Sequence, residues 1–166
     1  MPPDISNPSV ECINALRIAK ADKAALQRAI SNWASIQAAS ASNAIDPALL
    51  AAVGIRESGF RNIPQVGGGM GRGIFQIDLG ANPTVTSVQA YDTMYAANFA
   101  AGMLAANLNS LAARFPEWTS AQLLQATAAS YNFGIGNIRG NPSAIDIGTT
   151  KNNYGSNVIG LMSCFK

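Results

Sequence analysis

Eight consecutive residues, Ala48-Leu49-Leu50-Ala51-Ala52-Val53-Gly54-Ile55, carry no charged or polar side chain. Asp46-Pro47 stands before them and Gly59 shortly after. Asp is a favoured N-cap, and Pro fits the first helical turn because its missing N–H has no helical partner there. Glycine just past the end suits the left-handed residue that closes many helices. The segment therefore reads as a helix. Because it is apolar on every face, it must be enclosed by other elements. Any fold for this chain is built around it, and Glu57 falls in its last turn.

The surrounding sequence supplies the enclosing helices. From about Ser9 to Ala39, Val10, Ile13, Leu16, Ile18, Leu26, Ile30, Trp33 and Ile36 recur at helical spacings. Asp22 marks a possible break, leaving open one long helix or two shorter ones. Residues 38–43, rich in Ala and Ser, read as a connection. A helix is expected from about Val88 to Arg114, stopped by Pro116. Another opens at the capping-box pattern Thr119-Ser-Ala-Gln122, and a short last one runs from about Tyr154 to Cys164. Between Phe60 and Asn82 the character changes. Five glycines fall between Gly67 and Gly73, and Ile74-Phe75-Gln76-Ile77-Asp78 alternates like a short strand. The expected fold class is mainly α, of α+β type, with a small β-hairpin or glycine-rich loop.

The 166 residues suit one domain, and 48% hydrophobic against 12% charged residues suits a compact core. No apolar run approaches the ~20 residues of a membrane span. The start, Met-Pro-Pro-Asp-Ile-Ser, has neither the basic residues nor the apolar core of a signal peptide. Eleven Lys and Arg residues are scattered along the chain rather than clustered, which argues against nucleic acid as a partner. Cys12 and Cys164 lie near opposite ends. They are either two buried thiols or a disulfide joining the first helix to the last. The disulfide is the expectation, and with it an oxidising compartment.

Absent residues narrow the chemistry. With no histidine, Ser-His-Asp, Cys-His and His-ligated metal sites are ruled out, and two distant cysteines cannot form a Cys₄ zinc site. Gly69-x-Gly71-x-Gly73 lacks a following Walker lysine and a βαβ setting, so a phosphate loop is not expected. We expect no metal and no cofactor. Nine acids remain, and most have ordinary roles: Asp46 caps, and Glu11 and Asp22 sit among polar positions. Glu57 differs. Burial and the negative end of its helix dipole both favour the neutral carboxyl. Such a group can donate a proton to a departing glycosidic oxygen. A salt bridge from Glu57 to Arg56, Arg61 or Arg72 is the competing structural role.

The ordering of four segments adds a resemblance. Glu57-Ser58-Gly59-Phe60 resembles the E-S-x-F motif of the goose-type lysozyme and lytic-transglycosylase superfamily, and it follows a helix opened by Ile45-Asp46-Pro47 as in that family. Gly73-Ile74-Phe75-Gln76-Ile77-Asp78 is similar to the family's G-L-M-Q-V-D, and residues 129–139, from Ala-Ser-Tyr-Asn onward, to its S-A-Y-N-A-G-x-G-N-V-R. Asp146-Ile147-Gly148-Thr149-Thr150 and the stretch from Tyr154 to Val158 resemble goose-type lysozymes in particular. Together these cover residues 45–158.

The resemblance implies a lysozyme-like catalytic core over residues 45–166, preceded by a helical segment over 1–44. It implies cleavage of the β-1,4 bond between N-acetylmuramic acid and N-acetylglucosamine in peptidoglycan. Glu57 matches the general acid, and Asp78 the carboxylate that holds the attacking water. Tyr131 and Asn132 match residues beside the scissile sugar, and Gln76 and Tyr154 match groove positions. Two departures stand out. The loop from Gln65 to Gly71 lacks the acid often found there, and Phe133 replaces a small residue, where it is expected to narrow or cover the groove. The first departure keeps lytic transglycosylation open beside inverting hydrolysis. A catalytically silent peptidoglycan-binding module is the reading from another class. We expect a monomer acting outside the cytoplasm. A leaderless muramidase would suit a secreted antibacterial effector with a cognate immunity protein as partner.

Overall fold

A computed structural model describes all of residues 1–166 and has eight α-helices and one two-stranded antiparallel sheet. The fold is mainly α with a small β-hairpin, as the periodicities imply. The helix α4 (Pro47–Ser58) is the buried one: every residue from Ala48 to Ile55 is buried. The Asp46 side chain accepts from the Ala48 N–H at 2.8 Å. Gly59 takes the left-handed conformation at φ 64° and closes the helix onto the Ile55 carbonyl.

The N-terminal segment forms three helices: α1 (Val10–Ala19), α2 (Ala24–Ser31) and α3 (Trp33–Asn43). Lys20 in left-handed conformation ends α1, and the Asp22 side chain caps the Ala25 N–H of α2 at 3.1 Å. Residues 38–43 are helical rather than a connection. Their small side chains let α3 pack closely on the long helix that follows, so Ala39 and Ser40 are buried, and Ala44 at φ 55° makes the stop.

The single helix expected from Val88 is two, α5 (Ser87–Tyr91) and α6 (Thr93–Arg114). Each has its own cap. Thr86 and Gln89 form a capping box, and Asp92, extended at ψ 117°, accepts from the Tyr95 N–H at 2.8 Å. The remaining helices are α7 (Ser120–Phe133), opened by the Thr119–Gln122 capping box, and α8 (Tyr154–Met162), which runs on into a short 3₁₀ turn.

The strand expected over residues 74–78 shrinks to β2 (Ile77–Asp78), paired with β1 (Gly71–Arg72). Ile74, Phe75 and Ile77 are all buried, so they do not alternate. Gln76 sits at φ 49°, and its amide donates to the Ile63 and Gly73 carbonyls at 2.9 and 2.8 Å, holding a turn instead. Two side chains moor this hairpin to the helices. Ser58 Oγ donates to the Ile74 carbonyl at 2.7 Å, and the Tyr131 hydroxyl donates to the Phe75 carbonyl at 2.7 Å.

Cys12 and Cys164 form a disulfide that joins α1 to the turn after α8. One cluster of 34 buried residues runs from Cys12 to Phe165, so the N-terminal helices and α4 share a core. No helix is long and apolar enough to cross a membrane.

Candidate active site

A cleft of about 340 Å³ opens where the end of α4, the hairpin, α7 and the start of α8 meet. All six predicted site residues line it: Glu57, Gln76, Asp78, Tyr131, Asn132 and Tyr154. Arg56, Gln65, Gly71 and Thr150 complete the wall. Two further hollows, of about 260 and 280 Å³, share residues with it on either side, so the whole forms a groove. A larger hollow of about 510 Å³ lies between α1 and α8. None of the six predicted residues reaches it, and its one acid, Glu11, is exposed.

Glu57 sits deep in the cleft, half-buried against the apolar body of α4. Burial pushes its carboxyl up from an ordinary 4.5 to about 7, against the opposing pull of a hydrogen bond from Tyr154 and of the Arg56 charge. No arginine is ion-paired with it; the molecule's one salt bridge joins Arg28 to Asp22. The salt-bridge role is thereby excluded. The Tyr154 hydroxyl donates to Glu57 Oε2 at 2.9 Å. The proton of the neutral acid therefore belongs on Oε1, the oxygen with no partner in the protein. Burial keeps the proton in place at rest, while Tyr154 and Arg56 stabilise the carboxylate left after it departs.

A raised carboxyl pKa has a consequence for stability. The folded state holds this proton more tightly than the unfolded chain does. The resulting stabilisation is complete below pH 4.5 and is lost as pH rises through about 7. Glu57→Gln is therefore expected to be more stable than the parent at pH 8, by roughly 3 kcal/mol. The advantage shrinks toward zero near pH 4. Thermal denaturation at both pH values checks this, and an advantage independent of pH contradicts it.

Tyr154 is the first residue of α8, and a chain of contacts fixes its position. Asp146, buried, accepts from the Gly155 N–H at 2.7 Å and the Ser156 N–H at 2.9 Å. An anion is favourable at this helix end, where backbone N–H groups lack partners. A Cβ on residue 155 would lie 2.6 Å from the Asp146 carboxyl and 2.5 Å from the Gln125 carbonyl, so the close approach requires glycine. Arg56 lies over the Tyr154 ring, 5.0 Å from its centroid, and donates to Asn157, Asn153 and the Thr150 carbonyl.

The other predicted residues hold less free positions than the resemblance implied. Asn132 exchanges two hydrogen bonds with Thr150, at 3.1 and 2.9 Å. Gln76 commits its amide to the turn. Asp78 is exposed, and its Oδ1 accepts from the Gly80 and Ala81 N–H groups at 2.8 and 3.0 Å. Its Oδ2 makes no hydrogen bond within the protein and remains available to a water in the cleft. Phe133 does not narrow the groove. It packs against a second small core of seven buried residues, and it is not among the residues that line the cleft.

Sequence reasoning missed Arg56, Thr150 and the Asp146 cap. A signal for the last was present: an acid eight residues ahead of a helix whose second residue is glycine.

These features define a helical, cleft-bearing protein whose site pairs a buried, proton-holding acid with a second, exposed carboxylate. The chain belongs to the lysozyme g family: the family model for Lysozyme g matches residues 6–166. It is 30% identical over 125 residues to Lysozyme G of Dromaius novaehollandiae, covering 74% of this chain and 59% of that protein. Lysozyme g of Casuarius casuarius is also 30% identical over 125 residues, covering 74% and 65%. Lysozyme g of Epinephelus coioides is 28% identical over 141 residues, covering 79% and 72%. The chain thus spans about three fifths of the length of the first two of these relatives.

Proposed function

We propose that the protein is a muramidase that cleaves the β-1,4 bond between N-acetylmuramic acid and N-acetylglucosamine in peptidoglycan. The observation that carries this reading is Glu57: a carboxyl held neutral to about pH 7, free of any arginine, with its Oε1 open to a polar groove. In the proposed reaction Glu57 protonates the glycosidic oxygen as the sugar–oxygen bond breaks. Positive charge develops at the anomeric carbon. Asp78, through the free Oδ2, orients a water to attack from the opposite face and takes its proton. The product has inverted configuration, and the groove's hollows on either side of the cleft suit a chain continuing past the cut site.

Tyr131 acts here by fixing the hairpin that carries Asp78, and Asn132 by fixing Thr150 at the cleft wall. On this reading residues 1–166 work as one domain, with the helices of 1–44 bracing the core of 45–166. The substrate also places the site of action at the bacterial cell wall.

Lytic transglycosylation is the second reading. It is favoured by one observation: Asp78 is the sole acid besides Glu57 in the cleft, and one of its oxygens is already engaged. Digestion of purified sacculi followed by mass spectrometry separates the two. Hydrolysis gives reducing muramic ends, and Asp78→Asn is expected to lower their yield about 10²-fold, the usual contribution of a general base. Products carrying only 1,6-anhydro ends, unaffected by Asp78→Asn, would overturn the hydrolytic reading. A binding module without activity predicts no new ends from either protein.

A further inference from the structure

Arg56 stands next to the acid on α4, and its half-buried guanidinium is gripped at the start of α8. Nη1 donates to Asn157 Oδ1 at 2.7 Å, and Nη2 donates to Asn153 Oδ1 at 2.9 Å and to the Thr150 carbonyl at 3.1 Å. Asn157 is itself fixed: it is 3% exposed, and its Nδ2 donates to the Ala15 carbonyl of α1 at 2.9 Å. Every acceptor of the fork is neutral. No carboxylate comes within salt-bridge distance of Arg56, since the one such pair in the molecule joins Arg28 to Asp22. Asp146 commits its oxygens to the Gly155 and Ser156 N–H groups and the Gln125 amide. A clamp that served only to join α4 to α8 would gain from a carboxylate, whose two oxygens match the fork and cancel its charge. Neutral acceptors fix the guanidinium and leave its charge uncancelled. That charge lies over the Tyr154 ring, 5.0 Å from its centroid, and the hydroxyl of the same ring donates to Glu57 Oε2 at 2.9 Å.

Resting on the reading of Glu57 as the acid of a muramidase, we infer that Arg56 is a positioning residue, held by Asn157, that acts on Glu57 through the ring of Tyr154. The guanidinium on the ring face keeps the hydroxyl aimed at Oε2. It also draws charge from the phenol, opposing the upward push that burial gives the Tyr154 pKa, so the hydroxyl is the stronger donor. At rest Glu57 is neutral and the cation has no counter-ion. When the proton leaves, the new carboxylate becomes that counter-ion, with Tyr154 bonded to it. The other charged or titratable groups about Glu57 are Tyr131 of α7, Asp78 of the hairpin, and Lys20 and Arg61 across the adjoining hollow. None of them bonds the carboxyl; Tyr154 alone does.

The test follows two quantities in the parent and in Arg56→Gln, each with and without Tyr154→Phe: the ¹³C titration midpoint of Glu57, and kcat and KM on soluble glycan strands against pH. Arg56→Gln is expected to raise the midpoint by roughly one pH unit and to carry the alkaline limit of activity up with it. Its kcat on the plateau is nevertheless expected to fall about tenfold with KM unchanged, because the acid is weaker and less well aimed. A purely structural clamp predicts the opposite sign: water entering a loosened cleft would lower the midpoint toward 4.5. A lowered or unmoved midpoint overturns the inference. In the Tyr154→Phe background Arg56→Gln is expected to change kcat by less than about twofold, since residues acting as one unit are not additive. A full tenfold fall there would show that Arg56 does not act through the ring. Arg56→Lys covers the case in which the glutamine variant fails to fold. It keeps the charge and loses the fork, so the midpoint is expected to stay within a few tenths of the parent's while kcat falls severalfold. A kcat equal to the parent's would overturn the role of the fork and of Asn157. If the parent cleaves no glycan, the muramidase reading fails; the midpoints then decide the inference alone, with the same signs.

Discussion

Glu57→Gln is expected to abolish glycan cleavage, lowering the rate between about 10²- and 10⁴-fold while leaving the fold intact. The amide is nearly isosteric, and its oxygen still accepts from the Tyr154 hydroxyl that now bonds Oε2. The buried end of α4 loses no contact. What disappears is the proton. Burial is what holds that proton near neutrality, so the same environment that makes the acid useful also makes it expensive to ionise in the folded state. Turbidity loss of a cell-wall suspension by the parent and the variant at pH 6 measures the effect. Clearing by the variant at the parent's rate would remove Glu57 from the chemistry.

Loss of the disulfide is expected to produce the largest change in stability. Cys12 and Cys164 are 152 residues apart, so the bridge closes almost the entire chain. In the chain-entropy account, a loop of that length is stabilised by about 5 kcal/mol. For a domain of this size, that corresponds to a fall in Tm of about 10–20 °C. Cys12→Ala/Cys164→Ala tests it with little disturbance, because both positions are buried and alanine leaves no polar group behind. The consequence for the site is indirect. The bridge fastens the far end of α8, and Asp146 fastens the near end that carries Tyr154. At temperatures where the variant remains folded, its activity is expected to approach the parent's. A Tm within a few degrees of the parent's would show that α1 and α8 are held by packing instead. The hydrogen bond that the Asn157 side-chain amide donates to the Ala15 carbonyl is part of that packing.

The parts of this architecture governed by local chemistry were legible in the sequence. The start, stop and burial of α4 follow from Asp46, Pro47, Gly59 and the run between them, and the position of Glu57 follows from those bounds. The Thr119–Gln122 capping box opened α7 where expected. Boundaries that depend on weaker or tertiary causes were not legible. Residues 38–43 are helical because α6 presents alanines to them, a fact absent from their own composition. Asp92 breaks the helix expected from Val88 through a side-chain cap that hydrophobic spacing does not register. Gln76 looked like a strand residue because both its neighbours are apolar, yet its own amide holds a left-handed turn.

The site divides in the same way. Residue types and the order of motifs pointed to the six side chains that the cleft brings together. Their hydrogen-bonding roles were beyond reach, because they join residues far apart in the chain: Tyr154 to Glu57, Tyr131 to Phe75, Asn132 to Thr150. Tyr154 proves to be the acid's direct partner, whereas its sequence position offered only a place in the groove.

The measurement that bears most directly on this account is the titration of the Glu57 side-chain carboxyl, followed by its ¹³C shift against pH and assigned by comparison with Glu57→Gln. The account predicts a midpoint near 7, set by burial and moderated by Tyr154 and Arg56. A midpoint near 4.5, the value of an ordinary glutamate, would contradict it: the group would then be ionised at neutral pH and would have no proton to give.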